Sequence, residues 1–437
     1  MNYLEVFMEA ILKLRQGKRH IITAIIASCL STLQMSCKPT DIISPPITNS
    51  DSPLEVVWQV PIRPDTSLGF GFDPIFVGES IFFGSKPTPL SAEKMHLIKV
   101  SKTGHVVWQI SPDENSICDE IKSLESSGHV MVGDLLYCVC KNQPIVIDMK
   151  NLLLQNEYAI DSSTAYQISS FDQLLFYTTK FGSLGTGYDS SVLVVADPFS
   201  GRQKTLFRQG KNGDFNPNLY PPEVFVNNPT GDTLLVFQNR QWDFTNSANG
   251  GRVDLFCWNM TADTLVWQIP EIDPYGNSSV CKPLYHDGLV YFRGFQTLHA
   301  VNVETGEQVW MHEFPGDFDD LLLGNMLIAE GKLIVKSSTE GIHAFDPGTG
   351  ALLWERYDAG NTSCYMSYFD GSVYYGNYGG ELFNVRVADG EILWAYTSKN
   401  EGKNLGWEPQ FNNGVIFDEE NRRIITTDGY YLICLQL

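Results

Sequence analysis

The fragment TGEQVW, ending at Trp310, recurs as TGALLW at Trp354 and as DGEILW at Trp394. A unit repeated at this interval constrains the architecture before any single site is considered. Further copies are TGHVVW ending at Trp108, ADTLVW ending at Trp267 and LEVVW ending at Trp58; two weaker ones lie around Leu154 and end at Phe207. The eight landmarks stand 40 to 60 residues apart. That interval suits a four-stranded propeller blade and is too long for most leucine-rich or hexapeptide solenoids.

Between landmarks, short runs rich in β-branched and aromatic residues alternate with polar or glycine-containing breaks, as in GLVYFRGFQTLHAVNVETGEQVW from Gly288 to Trp310. Asp-Gly or Glu-Gly pairs join apolar runs as tight hairpins, because glycine accepts positive φ. Four strands per repeat follow, inner to outer, with the Trp on the outermost. After Trp394 the chain supplies three strands in GVIFDEENRRIITTDGYYLICLQL and no further Trp strand. The missing strand is LEVVWQV, from Leu54 to Val60. The expectation is therefore an all-β fold over residues 54–437: an eight-bladed β-propeller of four-stranded antiparallel blades, closed by the N-terminal strand joining the last blade.

A strand, then Ala or Val followed by Asp or Asn, then Thr-Gly or Asp-Gly, then a short apolar run ending in Trp resembles the pyrroloquinoline-quinone-like (PQQ-like) repeat. The resemblance is strongest in the last four blades. It implies an eight-bladed ring whose outer-strand Trp residues pack between neighbouring blades. Trp58, Trp108, Trp267, Trp310, Trp354 and Trp394 are accordingly read as packing residues, each with an indole N–H that needs a partner.

Residues 1–36 have the layout of a bacterial export signal: the basic KLRQGKRH at 13–20, then a mostly apolar or small stretch before Cys37. Cleavage there leaves a cysteine for lipid attachment. Cys29, in IASC, is the alternative; it fits the lipoprotein box residue by residue but leaves a short apolar core. Cys37 has the longer core and is preferred, although Gln34 departs from the pattern. The segment is shorter than the ~20 apolar residues of a membrane span. Translation starts at Met1 or at Met8. Residues 37–53, rich in Pro, Ser, Thr and Asn, read as a flexible tether.

Thirty basic and 51 acidic residues give a net charge of -21, which argues against nucleic acid and against broad adhesion to anionic lipid. Apart from the two lipid-attachment candidates there are seven cysteines, Cys118, Cys138, Cys140, Cys257, Cys281, Cys364 and Cys434. An odd number without regular spacing does not describe a disulfide framework, and several sit inside apolar strands as buried thiols do. Cys118 with Cys138 or Cys140 is the pair to test.

Quinoprotein dehydrogenases share this repeat, and the resemblance implies adjacent cysteines, an acidic Ca²⁺ cluster and a catalytic Asp. The chain has no Cys-Cys pair and no C-x-x-C-H. Its histidines are scattered without metal-ligand spacing, and His299 and His343, at equivalent repeat positions, read as framework residues. The acidic run at Asp317–Asp320 lacks the length and glycine of a calcium loop. No G-x-S-x-G occurs. The expectation is a noncatalytic protein with no cofactor and no metal.

In a four-stranded meander the second-to-third loop and the blade-to-blade connection emerge on one face. The long insertions here are of those two kinds, and exposed loops on a rigid scaffold concentrate binding residues. Phe70, Phe72, Phe181, Tyr188, Trp242, Phe244 and Trp407 are the expected partner contacts; Trp242 and Trp407 fall outside the repeat position. Architecture and anchoring together resemble BamB-like lipoproteins, which support outer-membrane β-barrel assembly. That resemblance implies a monomeric propeller, lipid-anchored at the periplasmic face of the outer membrane, that serves as a scaffold for envelope proteins. A carbohydrate or small-ligand binding module is the alternative, and a PQQ-dependent enzyme a more distant one.

Overall fold

Runs such as Leu289–Arg293 and Gly341–Phe345 form strands buried on both faces, which is why they read as continuous apolar stretches rather than alternating ones. The computed structural model describes residues 54–62, 70–71, 73–86, 96–110, 129–140, 143–150, 153–157, 168–183, 187–213, 215–243, 251–273, 281–314, 325–337, 341–357, 365–377, 380–398, 411 and 413–437. The signal and tether, with Cys29 and Cys37, lie outside them. So do Cys118, Cys364, the side chains of Cys138 and Cys140, and the acidic run at 317–320.

The strands form eight antiparallel sheets in a ring, a β-propeller. Blades 1 to 7 span 70–110, 129–157, 168–210, 215–273, 284–313, 327–356 and 367–397. Blade 8 combines 416–436 with the N-terminal strand Val56–Pro61, which pairs with Tyr431–Gln436. In blades 1 and 4 two short pieces share the innermost position. The first hairpin of several blades turns on an acidic residue and a glycine that both have positive φ: Asp287 and Gly288, Glu330 and Gly331, Asp370 and Gly371. Two such residues make a type I′ turn, whose twist matches that of the strands.

The hydrophobic core is divided among the seams between blades. Between blades 4 and 5, for example, Val236, Leu255 and Trp267 pack on Val290, Phe292 and Val303. Each such buried side chain contributes roughly 1.5–3 kcal/mol.

The repeat motif works across these seams. Trp58, Trp267, Trp310 and Trp354 each donate their indole N–H to a carbonyl in the next blade's outer turn: Lys102 (3.0 Å), Val303 (2.7 Å), Pro347 (2.8 Å) and Val387 (3.0 Å). In those same turns Gly104, Gly306, Gly350 and Gly390 have positive φ, and a Cβ on any of them would lie 2.5 to 2.9 Å from that incoming indole. Glycine and tryptophan four residues apart therefore do not touch each other. The glycine receives the preceding blade's indole, and the tryptophan reaches the following blade's glycine. Blade 8 has no such turn, because its outer strand comes from the N-terminal side, and Trp394 instead joins a cluster with Leu54 and Leu437.

The two weak copies differ in register. In blade 5, Trp310 lies opposite Ala300, with a bulge at the residue before it. In blade 3 the bulge falls two residues later, so Lys204, opposite Val195, occupies the place of the Trp, and Phe207 lies beyond it. Lys204 there forms an ion pair (2.9 Å) with Asp263, which holds positive φ (57°) where other blades have the turn glycine. Phe207 packs instead against Phe237, Phe256 and Trp258. In blade 2 Asn156 follows the bulge, and Gly201 of blade 3 has no atom within 4 Å of its would-be Cβ.

A second set of links surrounds the axis, where side chains near each innermost strand bond to the backbone of the next blade. Ser169 donates to Pro222 O, Gln238 to Cys281 O, Asn325 to Met366 O and Ser367 to Val415 O. The Gly414 N–H of blade 8 donates to Asp73 Oδ1 (2.6 Å), which closes the seam where the two ends of the ring meet.

Candidate binding face

Strand direction sorts the connections. The first and third turns of every blade lie on one face, the turn face; the second-to-third loops and the blade-to-blade connections lie on the other, the loop face. Val56 pairs with Leu435 and Pro61 with Tyr431, so the chain enters the ring from the turn face.

Among the described residues, blades 3 and 4 have the longest strands leading to the loop face. Their second strands, Leu174–Ser183 and Asp232–Asp243, have 10 and 12 residues, against five in Leu289–Arg293 and Ser372–Gly376. The blade 4 hairpin is braced by a closed polar circuit. Arg252 donates through Nε and Nη2 to Gln241 Oε1, and Gln241 Nε2 donates to Asp254 Oδ2. Asp254 Oδ1 accepts the Glu271 N–H, and Arg252 pairs with Glu271 Oε1 at 2.8 Å. Burial pushes the Asp254 carboxyl up, against the pull of its hydrogen bonds. The Arg252 guanidinium also covers the Phe215 ring. Polar groups satisfied in this way fix a hairpin's position better than loop contacts do.

Of the predicted contacts, Phe181 lies near the end of the second strand of blade 3, half-buried beneath the Arg208 guanidinium. Tyr188 lies on the opposing strand, paired with Gly182, and Trp242 pairs with Asn216 near the end of the blade 4 hairpin. These three stand on adjacent blades. Phe70 pairs with Lys86 in blade 1, two blades from blade 3. The side chains of Phe70, Tyr188 and Trp242, and all of Phe72, Phe244 and Trp407, lie outside the described residues.

Beneath the loop face lies a belt of buried polar side chains at the strand ends. Lys180, Arg293 and Lys336 are buried at the ends of second strands. The Arg293 guanidinium lies 4.1 Å from the Phe314 ring centre, and the Lys336 ammonium 5.1 Å from that of Tyr375. Burial, with Arg240 nearby, pushes Lys180 down to about 7. His299 bonds to Gln308 and Thr297 and is held below its usual range by burial. His343, at the equivalent position, packs against the rings of Phe314 and Tyr357.

On the axis, connections from three blades bring Tyr365 within electrostatic range of both Asp73 and Cys281. Burial raises the Asp73 carboxyl to about 6 despite its bond from Gly414, and pushes the Tyr365 phenol up as well. Both groups are thereby held toward their neutral forms. Sequence reasoning missed this group because its members stand far apart in the chain and belong to no motif. The residues do not fit the quinone site that the repeat's resemblance implies. Cys257, Cys281 and Cys434 are buried apart, and the sequence contains no adjacent cysteines.

Residues 252–435 match the family model described as outer membrane protein assembly factor BamB. Solved structures with the same architecture include BamB from Moraxella catarrhalis, at 12% identity and TM-score 0.56, over 88% of this chain and 100% of that one. A europium-containing methanol dehydrogenase aligns at 11% identity and TM-score 0.58, over 86% of this chain and 85% of that one. The fold is a PQQ-like repeat β-propeller. Sqt1 of Saccharomyces cerevisiae aligns at 10% identity and TM-score 0.58, over 86% and 98% of the two chains. At such identities the neighbours speak to the fold alone. No curated protein matches the chain at a significant level. The family match begins in blade 4 and runs to blade 8, and the Trp–Gly clasps between blades 4 and 7 of this PQQ-like ring fall within it.

Proposed function

We propose that the chain is a noncatalytic, lipid-anchored propeller of the bacterial envelope that binds other envelope proteins in outer-membrane protein assembly. The match of residues 252–435 to the BamB assembly-factor family carries this reading. The long hairpins of blades 3 and 4, the latter braced by its polar circuit, give it a surface. Phe181, Tyr188 and Trp242 form its core, with Phe70, Phe72, Phe244 and Trp407 as outlying contacts. Cys37, or Cys29 in its place, carries the lipid at the periplasmic face of the outer membrane, and the propeller acts as a monomer.

The test is affinity capture from detergent-solubilised envelope with the intact lipoprotein, beside a Trp242→Ala, Trp407→Ala version. Envelope proteins recovered by the first and lost by the second are expected. Equal recovery by both would remove the loop face from the reading, and recovery of nothing by either would remove the scaffold.

A small-ligand site on the axis is the second reading, favoured by the meeting of Asp73, Tyr365 and Cys281 there. It predicts saturable binding of glycans by calorimetry, weakened by Tyr365→Phe.

A further inference from the structure

We infer that the outer edge of blade 3 is a docking edge for an extended acidic polypeptide segment. Its outer strand, Gln203–Gly210, pairs with Ser190–Ala196 on one side only, and no described strand pairs with its other edge. In a chain of net charge -21, residues 198–213 hold Arg202, Lys204, Arg208 and Lys211 and no carboxylate. All four cations are exposed.

This edge differs from the others in shape as well as charge. On outer strands that carry a Trp, the bulge residue before it is an exposed Val or Leu: Val107, Val266, Val309, Leu353 and Leu393. Bulges and projecting side chains there obstruct the approach of another strand. Those strands also carry glutamates, Glu313 and Glu355, or begin just after one, Glu307 and Glu391. In blade 3 the bulge residue Leu206 is turned inward and buried, so no exposed Val or Leu stands at its bulge; the exposed Phe199 lies in the turn before the strand.

Its cations are held in place. Arg208 bonds to Ser190 Oγ (3.0 Å) over the Phe181 ring, and Lys204 pairs with Asp263. Both members of the Lys204–Asp263 pair are more than half exposed, so exchanging Asp263 for an incoming carboxylate costs little. An added strand would take main-chain hydrogen bonds along the free edge, and its alternate side chains would meet the cations. Neutral or basic strands would gain only the first of these.

Lysines on an edge also serve to keep edges apart, and the experiment separates the two roles. A short fluorescent peptide of alternating glutamate and valine is titrated into the full chain, with a lysine–valine peptide and anionic phospholipid vesicles as comparisons. The acidic peptide should bind, its affinity should fall with salt, and amides of residues 207–210 should gain protection from hydrogen exchange. Arg208→Glu with Lys211→Glu should weaken binding about tenfold or more. Arg208→Gln with Lys211→Gln should weaken it less, at unchanged thermal stability. Equal binding of both peptides, indifference to the substitutions, or binding of vesicles but not of the acidic peptide would overturn the inference. The capture experiment substitutes Trp242 and Trp407 and this one Arg208 and Lys211, so each can fail or succeed independently.

Discussion

Substituting alanine for Gly104 puts a methyl group where Trp58 already lies. Gly104 has φ of 83°, and the added Cβ would stand 2.5 Å from Trp58 Cγ and 2.8 Å from Cβ and Cδ2. Ordinary carbon contacts are about 3.5–4.0 Å, so the indole must retreat by roughly 1 Å and lengthen its bond to Lys102 O. Left-handed backbone at an alanine costs about 1–2 kcal/mol, and overpacking a tight contact about 1–3 kcal/mol more. Gly201 supplies the control: it takes the same place in the blade 3 turn, has φ of 69°, and its would-be Cβ meets nothing within 4 Å. Gly201→Ala should therefore lose only the backbone share. The difference, about 1–3 kcal/mol, measures the clasp that holds the N-terminal strand to blade 1. Urea unfolding of the two variants gives it directly, and hydrogen exchange should show Val56–Pro61 opening sooner in Gly104→Ala alone. Equal losses in the two proteins would refute the argument that glycine is needed there to admit the neighbouring indole.

Two further outcomes follow from the seams. Asp73 has a folded-state pKa of about 6 against an ordinary 3.8, so the folded protein holds its proton more tightly than the unfolded chain does. Its contribution to stability is full at and below pH 3.8 and is lost as the pH rises to about 6. The loss is about 3 kcal/mol at most. Asp73→Asn should flatten that part of the stability–pH curve, and an unchanged curve would count against the buried carboxyl. The Lys204–Asp263 pair replaces a Trp–Gly clasp at the surface, so Lys204→Ala should cost under about 1 kcal/mol, and less in high salt. Trp310→Ala should cost about 3–5 kcal/mol in either salt, and similar costs for both would undo the distinction drawn between the seams.

Blade number, hairpin turns and ring closure were legible because each is written locally: a Trp, an Asp-Gly or Glu-Gly pair, and three strands at one end with one at the other. The partner of each turn glycine was not. The motif places Gly306 and Trp310 side by side in sequence, while the contacts run to Trp267 and Gly350 in the neighbouring blades. Phe207 was misplaced as a Trp substitute for a similar reason, since the position of a bulge depends on packing against Phe237 and Phe256 and has no marker in the run QKTLF. On the loop face, insertion length pointed to the hairpins of blades 3 and 4. The circuit of Gln241, Arg252, Asp254 and Glu271 draws on three strands and has no spacing to detect.

The pairing of Val56–Pro61 with Tyr431–Gln436 also sets an order of events. The strand made early must wait, with the run Val56, Val57 and Trp58 unpaired, until the strands of residues 416–436 have emerged. Contacts between such distant segments form slowly. Ring closure is therefore a late step of folding, and it cannot begin before residues 431–436 have been made. Anything that holds the early strand apart, a chaperone or a translocation channel, keeps the whole ring open. Release of that one strand is then the event that commits the protein to its folded state.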